Sequence, residues 1–293
     1  MSSKKTLRFS VVIPCYNEED YIGSTLSSLK AQDTSADYEV IVVDNNCNDA
    51  TVSIARSYGA KVVTESQPGI CAARQAGTTA ANGEIIISTD ADTTFSPDWL
   101  SKIDSAFKND PDLIAYCGPC RFKDTPWWGR AYTPFLFGWS YLYFLITGHP
   151  FYVTATNIAF KKQFWKGYDP LLMQGGDEVG LLHQLKHEGK VAFSLKNPVY
   201  TSGRRLQRGM FYNIFVTFLY YYLAGYVINS LFGRKIIGAP PAFRNEYRSK
   251  LYSRLAVGLI ALCLVVDIAK PRLINGFVTD NISDASKFVV RMI

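Results

Sequence analysis

The sequence predicts an α/β fold in which helices cover both faces of a mostly parallel sheet. Short runs rich in Val and Ile alternate with segments of helical periodicity from the N-terminus onward. These runs are almost continuously apolar, which is typical of strands that are buried on both faces. An alternation of strands and helices indicates parallel strands joined by crossover helices.

The predicted strands occupy four runs, at residues 9–14, 39–44, 61–64 and 84–89. Between the first two runs, Ile22, Leu26 and Leu29 fall at positions i, i+4 and i+7. This spacing forms one apolar face of an amphipathic helix.

Three more helices are predicted after the second strand. The first covers 48–59, and either Asn48 or Asp49 is its expected N-cap. The next lies near 70–82, and the last is expected to open at Ser96. Ligands of such sheets bind beyond the carboxyl ends of the strands, so residues that follow a strand are candidates for a site.

The composition indicates a large core and a basic C-terminal part. Hydrophobic residues make up 48% of the 293 positions and include 18 Tyr and 18 Phe, which excludes intrinsic disorder. Residues 1–200 carry 18 Lys and Arg against 21 Asp and Glu, whereas residues 201–293 carry 13 against 4. The basic residues flank apolar runs, which favours an anionic membrane surface over nucleic acid.

The N-terminus and the cysteines favour a location in the cytosol. The polar start MSSKKTLRFS lacks the pattern of a secretory signal peptide. The six cysteines are scattered, and the C-x-x-C pair of Cys117 and Cys120 has no second pair to complete a zinc site. We therefore expect reduced thiols.

The segment IISTDADTTF places Asp90 and Asp92 directly after a predicted strand. Two neighbouring carboxylates repel each other, so they need either solvent or a cation. A hard cation such as Mg²⁺ or Mn²⁺ prefers carboxylate oxygens together with phosphate oxygens of a substrate, which favours a metal–nucleotide site. The alternative is a turn that leads into a helix N-cap, because Asp and Thr suit both roles.

Five segments occur in a fixed order along the chain: SVVIPCYNEED (10–20), VVDNNCNDAT (42–51), GICAARQAGTTAANGEIIISTDAD (69–92), ATNIAFKKQFWKGYDP (155–170) and GGDEVGLLHQLKHEGK (175–190). With these segments the chain resembles the family 2 glycosyltransferases, which are inverting enzymes with the GT-A fold. The resemblance implies a catalytic domain over 1–205 with an aromatic-rich hydrophobic insertion at about 127–152. Residues 206–293 are then expected to form basic and apolar helices that associate with a membrane.

The resemblance assigns most of the candidate residues to the donor. The implied nucleotide-binding residues are Pro14, Tyr16, Glu18, Asp44, Arg74 and Asp90. Asp92 is the implied ligand of Mn²⁺ or Mg²⁺, and Asp90 is the implied contact to the ribose or the sugar. Simpler roles remain open: Tyr16 as an aromatic packed on the sheet, Asp44 as a turn residue and Arg74 as a surface arginine.

The catalytic base is expected at the start of the segment DEVGLLHQL. The family usually has Glu followed by Asp at this place, whereas this chain has Asp177 followed by Glu178. By register Glu178 matches the catalytic Asp of the family and is the first candidate, and Asp177 is the second. The alternative is an acidic pair that stabilises the first turn of a helix.

The segment TSGRRLQRG (201–209) supplies two candidates for a phosphate contact. Arg204 and Arg205 are suited to a diphosphate or a lipid phosphate, because guanidinium groups bind phosphate in a bidentate way. The alternative is that they are basic residues beside a membrane segment.

The uncharged run 209–233 is long enough to cross a bilayer. Basic clusters lie on both sides of it, so one crossing would place a cluster outside, against the positive-inside tendency. We therefore expect an apolar element that lies in plane on the cytoplasmic face, beside 127–152. A hairpin of two spans, 211–233 with 251–268, and helices of a core or oligomer interface are the alternatives.

The sequence thus predicts an inverting, metal-dependent glycosyltransferase at the cytoplasmic face of a membrane. Its expected partners are a UDP-, GDP- or dTDP-linked sugar and a lipid or lipid-linked acceptor, without nucleic acid. A membrane-bound scaffold with a degenerate nucleotide site is one alternative. A sugar-nucleotide pyrophosphorylase is another, although PCYNEED is not the Gly-rich phosphate loop that it needs.

Overall fold

The computed structural model describes residues 7–150, 152–168, 177–232 and 236–238. These residues belong to one compact unit, Met1–Pro241. The predicted span at 251–268 lies outside the described residues, as does most of the expected basic C-terminal region.

The strands are β1 Phe9–Cys15, β2 Tyr38–Asp44, β3 Lys61–Thr64, β4 Ile85–Ser88, β5 Thr93–Thr94, β6 Leu113–Cys117, β7 Cys120–Lys123, β8 Ile158–Lys161, β9 Lys190–Phe193 and β10 Val199–Ser202. The helices are α1 Glu19–Lys30, α2 Thr51–Ser57, α3 Ile70–Ala80, α4 Trp99–Asn109, α5 Trp127–Thr147, α6 Asp177–Glu188 and α7 Gly225–Phe232. Two short 3₁₀ helices cover Lys162–Phe164 and Leu206–Arg208, and a π-helix covers Tyr212–Ala224.

The central sheet has seven strands in the order β3-β2-β1-β4-β8-β6-β9. The pairs β3–β2, β2–β1, β1–β4 and β6–β9 are parallel, and β8 runs antiparallel to both of its neighbours. All seven residues of β1 are buried, as the continuous apolar pattern predicted. The predicted α/β class with a mostly parallel sheet is therefore confirmed.

A second, three-stranded sheet has the order β5-β10-β7. Strand β10 runs antiparallel to β5 and parallel to β7. This sheet matters for the site because it fixes the residues after Asp90 against the segment that leads to Arg204.

Two predicted helix starts are wrong by three residues. Helix α2 begins at Thr51, and its N-cap position is Ala50 instead of Asn48 or Asp49. The Asp49 carboxylate accepts the Thr51 N–H at 3.0 Å in the turn before the helix. Asn48 is held outside the helix because its N–H donates to Asn17 Oδ1 at 2.7 Å. Helix α4 begins at Trp99, after a turn that follows β5.

The two long hydrophobic segments take different forms. The aromatic-rich insertion is the 21-residue helix α5, which has Pro134 inside it. The 209–233 segment is divided between the π-helix and α7. Within the described part of the chain, no helix combines the length and the hydropathy that a membrane crossing needs.

The contact between α3 and the sheet gives a prediction about stability. A Cβ on Gly77 would lie 2.4 Å from Val12 Cγ1 and 2.7 Å from Val43 Cγ2, both in the core. We expect Gly77→Ala to lower the free energy of unfolding by about 1–3 kcal/mol, because the added methyl group would push α3 away from β1 and β2. A matched change, Gly138→Ala in α5, meets nothing within 4 Å and should be neutral or stabilising. Denaturant unfolding of both variants measures the difference, and an equal effect of the two would contradict this packing.

Candidate active site

The candidate residues lie at the carboxyl edge of the central sheet. Cys15 and Asp44, the last residues of β1 and β2, are paired in register. The segment that contains Asp90 and Asp92 follows β4, the other neighbour of β1. Three loops therefore meet at one edge, where the sequence placed the site.

Asp90 is fixed by Arg74 and Thr156. Arg74 Nη2 donates to Asp90 Oδ1 at 2.7 Å, and Thr156 Oγ1 donates to Asp90 Oδ2 at 2.6 Å. Arg74 Nη1 also donates to Ser88 Oγ at 2.6 Å and to the Ala155 carbonyl at 3.1 Å. With 3% of its surface exposed, Arg74 is not the surface arginine that the sequence left open.

Asp92 lies between the small sheet and Arg204. Thr201 Oγ1, in β10, donates to Asp92 Oδ1 at 2.9 Å, and Arg204 Nη2 lies 3.2 Å from Asp92 Oδ2. Burial raises the pKa of Asp92 to about 6; the charge of Arg204 opposes the rise, and the nearby carboxylates Asp90 and Glu18 add to it. Asp92 is therefore ionised near neutral pH and protonated in mild acid.

Glu18 and Arg204 form a bidentate ion pair across 186 positions of sequence. Arg204 Nη1 and Nη2 each donate to one oxygen of the Glu18 carboxylate at 2.8 Å, and Glu18 is 6% exposed. The guanidinium carbon also lies 4.6 Å from the centre of the Tyr21 ring. Burial lowers the pKa of Arg204, but the Glu18 hydrogen bonds and the charge of Asp92 outweigh burial and raise the pKa above its ordinary value. Arg204 therefore stays charged.

The other predicted donor residues differ in burial and in hydrogen bonding. Pro14 is buried in β1 opposite Val43, and Tyr16, the first residue after β1, is exposed. Asp44 Oδ1 accepts the Cys47 N–H at 2.8 Å, which is the turn interaction that the sequence left open. Arg205 is exposed beside the cluster.

The candidate bases begin helix α6. Glu178 lies in its first turn and is half-buried, whereas the side chain of Asp177 lies outside the described part of the structure. The helix packs against β6 and β9 of the central sheet. Further along it, the Gln184 amide donates to the Gly167 carbonyl at 2.7 Å and so connects the helix to the loop after β8.

The charges of the cluster suit a divalent cation. Three carboxylates, Glu18, Asp90 and Asp92, face two guanidinium groups, Arg74 and Arg204. Among the described residues, no three side chains of the His, Cys, Asp and Glu types converge as a metal-binding group. The residues fit a cation that takes one or two carboxylates from the protein and completes its shell with phosphate and water oxygens, as Mg²⁺ does.

Comparison with known proteins identifies the family. Residues 10–168, more than half of the chain, match the model of glycosyl transferase family 2. The chain belongs to this family. An uncharacterised glycosyltransferase of Mycobacterium bovis is 36% identical over 105 residues, which are 36% of this family 2 chain and 46% of that protein.

A second curated relative has a named activity. The dolichyl-phosphate hexose transferase of Haloferax volcanii is 32% identical over 106 residues, which cover 36% of this chain and 46% of that protein. This family 2 chain therefore matches less than half the length of either relative.

A solved structure has the same architecture. The mannosyltransferase of Pyrobaculum calidifontis, in complex with GDP-Man and Mn²⁺, aligns with a TM-score of 0.53 at 20% identity. The alignment covers 70% of this family 2 chain and 61% of that chain. It shows a shared fold, so the expected GT-A-like architecture is confirmed.

Sequence reasoning missed several side chains that hold the cluster. Thr156 and Thr201 each donate to an Asp carboxylate, and Tyr21 lies against Arg204. The only signal in the sequence is that Thr156 lies in the family-like segment ATNIAFKK and Thr201 lies in TSGRRLQRG, beside Arg204. Threonine is too common for such a signal to be read without the structure.

Proposed function

We propose that this family 2 protein is an inverting glycosyltransferase that moves a sugar from a nucleotide donor to a lipid-linked acceptor at the cytoplasmic face of a membrane. The observation that carries the proposal is a pair of ion-paired groups at the carboxyl edge of the sheet, Asp90 with Arg74 and the two carboxylates Glu18 and Asp92 with Arg204. Such a cluster suits a substrate with a diphosphate and a divalent cation, Mn²⁺ or Mg²⁺. Nucleotide sugars linked to UDP, GDP or dTDP are the donors of this kind.

The donor is held from two sides. Arg74 and Thr156 fix Asp90, whose side chain is one-third exposed, and Asp90 is the proposed acceptor of hydrogen bonds from the ribose or the sugar. The exposed ring of Tyr16 offers a surface for the base. Asp44 and Pro14 complete this side of the site.

Asp92 is the residue that would hold the divalent cation. When bound, the cation supplies Lewis acidity that favours departure of the nucleoside diphosphate. Asp92 must be ionised for this role, and its raised pKa of about 6 sets the pH below which binding weakens. Arg204 supplies a second positive charge for the diphosphate.

The acceptor decides whether a base is needed. A sugar or lipid hydroxyl must lose its proton, and the proposed base is Glu178, or Asp177 beside it, in the first turn of α6. A lipid phosphate is already ionised at neutral pH and attacks without a base. Attack from the face opposite the leaving diphosphate inverts the anomeric centre in one displacement.

The support for a membrane acceptor is an exposed apolar stripe on α5. Phe135, Trp139, Leu142 and Ile146 follow at i, i+4, i+7 and i+11, and all four are exposed. Phe211, Phe215 and Leu219 form a similar exposed row on and just before the π-helix. No Asp or Glu occurs in 125–168 or 189–245, whereas Arg130, Arg205 and Lys196 do, so both rows suit an anionic lipid surface.

Two further observations support this location. A relative that acts on dolichyl phosphate, a lipid phosphate, has 32% identity over the matched segment. The five cysteines of the described part are free thiols and four of them are buried, as expected for a protein in a reducing compartment.

A transfer assay in vesicles tests the proposal. The full chain is incubated with Mn²⁺, a labelled nucleotide sugar from a UDP, GDP and dTDP panel, and polyprenyl phosphate in neutral or anionic vesicles. We expect label in the lipid phase with inverted anomeric configuration, and more of it with anionic vesicles. Phe135→Ser/Trp139→Ser should lower transfer in vesicles at least 10-fold because it removes two side chains of the stripe. The control is Tyr58→Ser, which removes an exposed aromatic at the end of α2.

The outcomes separate the parts of the proposal. Transfer that ignores vesicle charge and the α5 substitutions would contradict the membrane-facing stripe while leaving the donor site intact. Nucleotide binding without transfer to lipid phosphates, lipid-linked sugars or glycolipids would favour the scaffold instead.

A further inference from the structure

The position of Arg204 between Glu18 and Asp92 points to a role that the separate residues did not suggest. We propose that Arg204 is a resident counter-ion of the donor site, held by Glu18, that shares Asp92 with the divalent cation and pairs with the donor diphosphate. Glu18 is then a positioning residue and not a contact to the nucleobase. The inference rests on the proposed function and deepens it, because it predicts that metal and nucleotide increase each other's affinity.

Glu18 is the firmer of the two partners of Arg204. It accepts two hydrogen bonds of 2.8 Å, one on each carboxylate oxygen, and it is buried. Asp92 is in contact through a single pair of atoms, Nη2 and Oδ2, at 3.2 Å. The Tyr21 ring lies against the guanidinium at 4.6 Å and limits its movement. Arg204 therefore keeps its place when Asp92 takes another partner.

Asp92 has one oxygen for which two cations compete. Thr201 donates to Oδ1, and Oδ2 faces Arg204. A divalent cation at this carboxylate would lie close to the guanidinium, and the two positive charges repel each other. A diphosphate between them reverses the effect, since it attracts both.

The consequence is a coupling between the two ligands. Metal alone should bind weakly because Arg204 already neutralises Asp92, and nucleotide and metal together should bind tightly. A merely structural ion pair, which ties the segment after β10 to the loop after β1, predicts no such coupling.

Two binding isotherms on the full chain distinguish these possibilities. The first measures Mn²⁺ alone, and the second measures UDP, GDP and dTDP in saturating Mn²⁺. For Arg204→Met we expect Mn²⁺ alone to bind about 10-fold more tightly, because a neighbouring positive charge is removed. The diphosphate should bind about 10- to 100-fold more weakly, because a charge-assisted hydrogen bond is lost. Arg56→Met removes the same charge from an exposed position in α2 and should change neither isotherm.

A double variant protects the test against misfolding. Arg204→Met alone leaves the buried Glu18 carboxylate without its main partner, which can prevent folding. Glu18→Gln/Arg204→Met removes both charges, and thermal unfolding checks that it is folded. It should still bind Mn²⁺ more tightly than wild type, although by less, because a negative charge is lost as well. Glu18→Gln alone should weaken diphosphate binding while Arg204 is still present.

The result that would overturn the inference is Mn²⁺ affinity that is unchanged or lower in the folded Arg204 variants. Failure of the proposed function has a different signature, in which no nucleoside diphosphate binds to the wild type with Mn²⁺. The Mn²⁺ isotherm is measured without nucleotide, so it tests the competition at Asp92 in either case.

Discussion

Replacement of Asp92 by Asn is expected to abolish sugar transfer while stabilising the protein at pH 8. The carboxylate that would hold the cation is lost, so kcat/KM should fall by a factor on the order of 10³ or more, the size of effect seen when a group that stabilises transition-state charge is removed. Asn keeps the shape of Asp and can still accept from Thr201.

The sign of the stability change follows from the pKa of Asp92. Burial raises it from 3.8 to about 6, so the folded protein favours the protonated form. Stability from this group is fully present below pH 3.8 and is lost as the pH rises through 6, by about 2–3 kcal/mol in total. Asn resembles the protonated form of Asp at every pH. The stability of the variant relative to wild type should therefore rise between pH 4 and pH 7.

Denaturant unfolding at pH 5 and pH 8 measures the effect. The free energy of unfolding of the variant should exceed that of wild type by the full amount at pH 8 and by about half of it at pH 5. Asp112→Asn makes the same substitution at an exposed turn and should show no such dependence. An Asp92→Asn protein that is less stable than wild type at pH 8 would show that Arg204 outweighs burial at this site.

The second large effect is expected at Glu178. With a hydroxyl acceptor, Glu178→Gln should lower kcat by a factor of about 10²–10⁴, because the proton of the acceptor has no base. The KM for the nucleotide sugar should change little, since Glu178 belongs to α6 and not to the donor cluster. With a lipid phosphate acceptor, kcat should stay within a few fold of wild type.

Initial rates with both kinds of acceptor measure this difference. Glu188→Gln makes the same change at the other end of α6, where Glu188 pairs with Lys166, and should leave kcat unchanged. Asp177→Asn tests the second candidate under the same conditions. If Asp177→Asn removes activity with a hydroxyl acceptor and Glu178→Gln does not, the base assignment must be exchanged.

The sequence predicted the strands more accurately than the helix starts, and the reason is physical. A strand buried on both faces has a continuous apolar run that is visible in the local sequence. The bounds of β1 and β2 therefore lie within one residue of the runs 9–14 and 39–44. The start of α4 depends on β5, which pairs with β10 more than a hundred positions away. The conformational propensities of residues near α4 do not indicate this distant pairing, so the start of the helix could not be predicted from them.

The same distinction holds for the site. Aspartates at strand ends were visible from spacing, and the fold brings Asp90 and Asp92 to the expected edge. The pairing of Glu18 with Arg204 was not visible, because two residues 186 positions apart leave no local pattern. The division of the apolar run into a π-helix and α7 was not visible either, because hydropathy reports the length of an apolar run and not its helix type.

The most direct test of the account is a calorimetric titration of UDP, GDP, dTDP and their sugars, with and without Mn²⁺, on wild type and Asp92→Ala. The account predicts that at least one nucleotide binds wild type with Mn²⁺, and that removal of either the metal or the Asp92 carboxylate abolishes this binding. The nucleobase of the nucleotide that binds then identifies the nucleotide of the donor. Absence of binding by every nucleotide, or binding that ignores both metal and Asp92, would contradict the donor site.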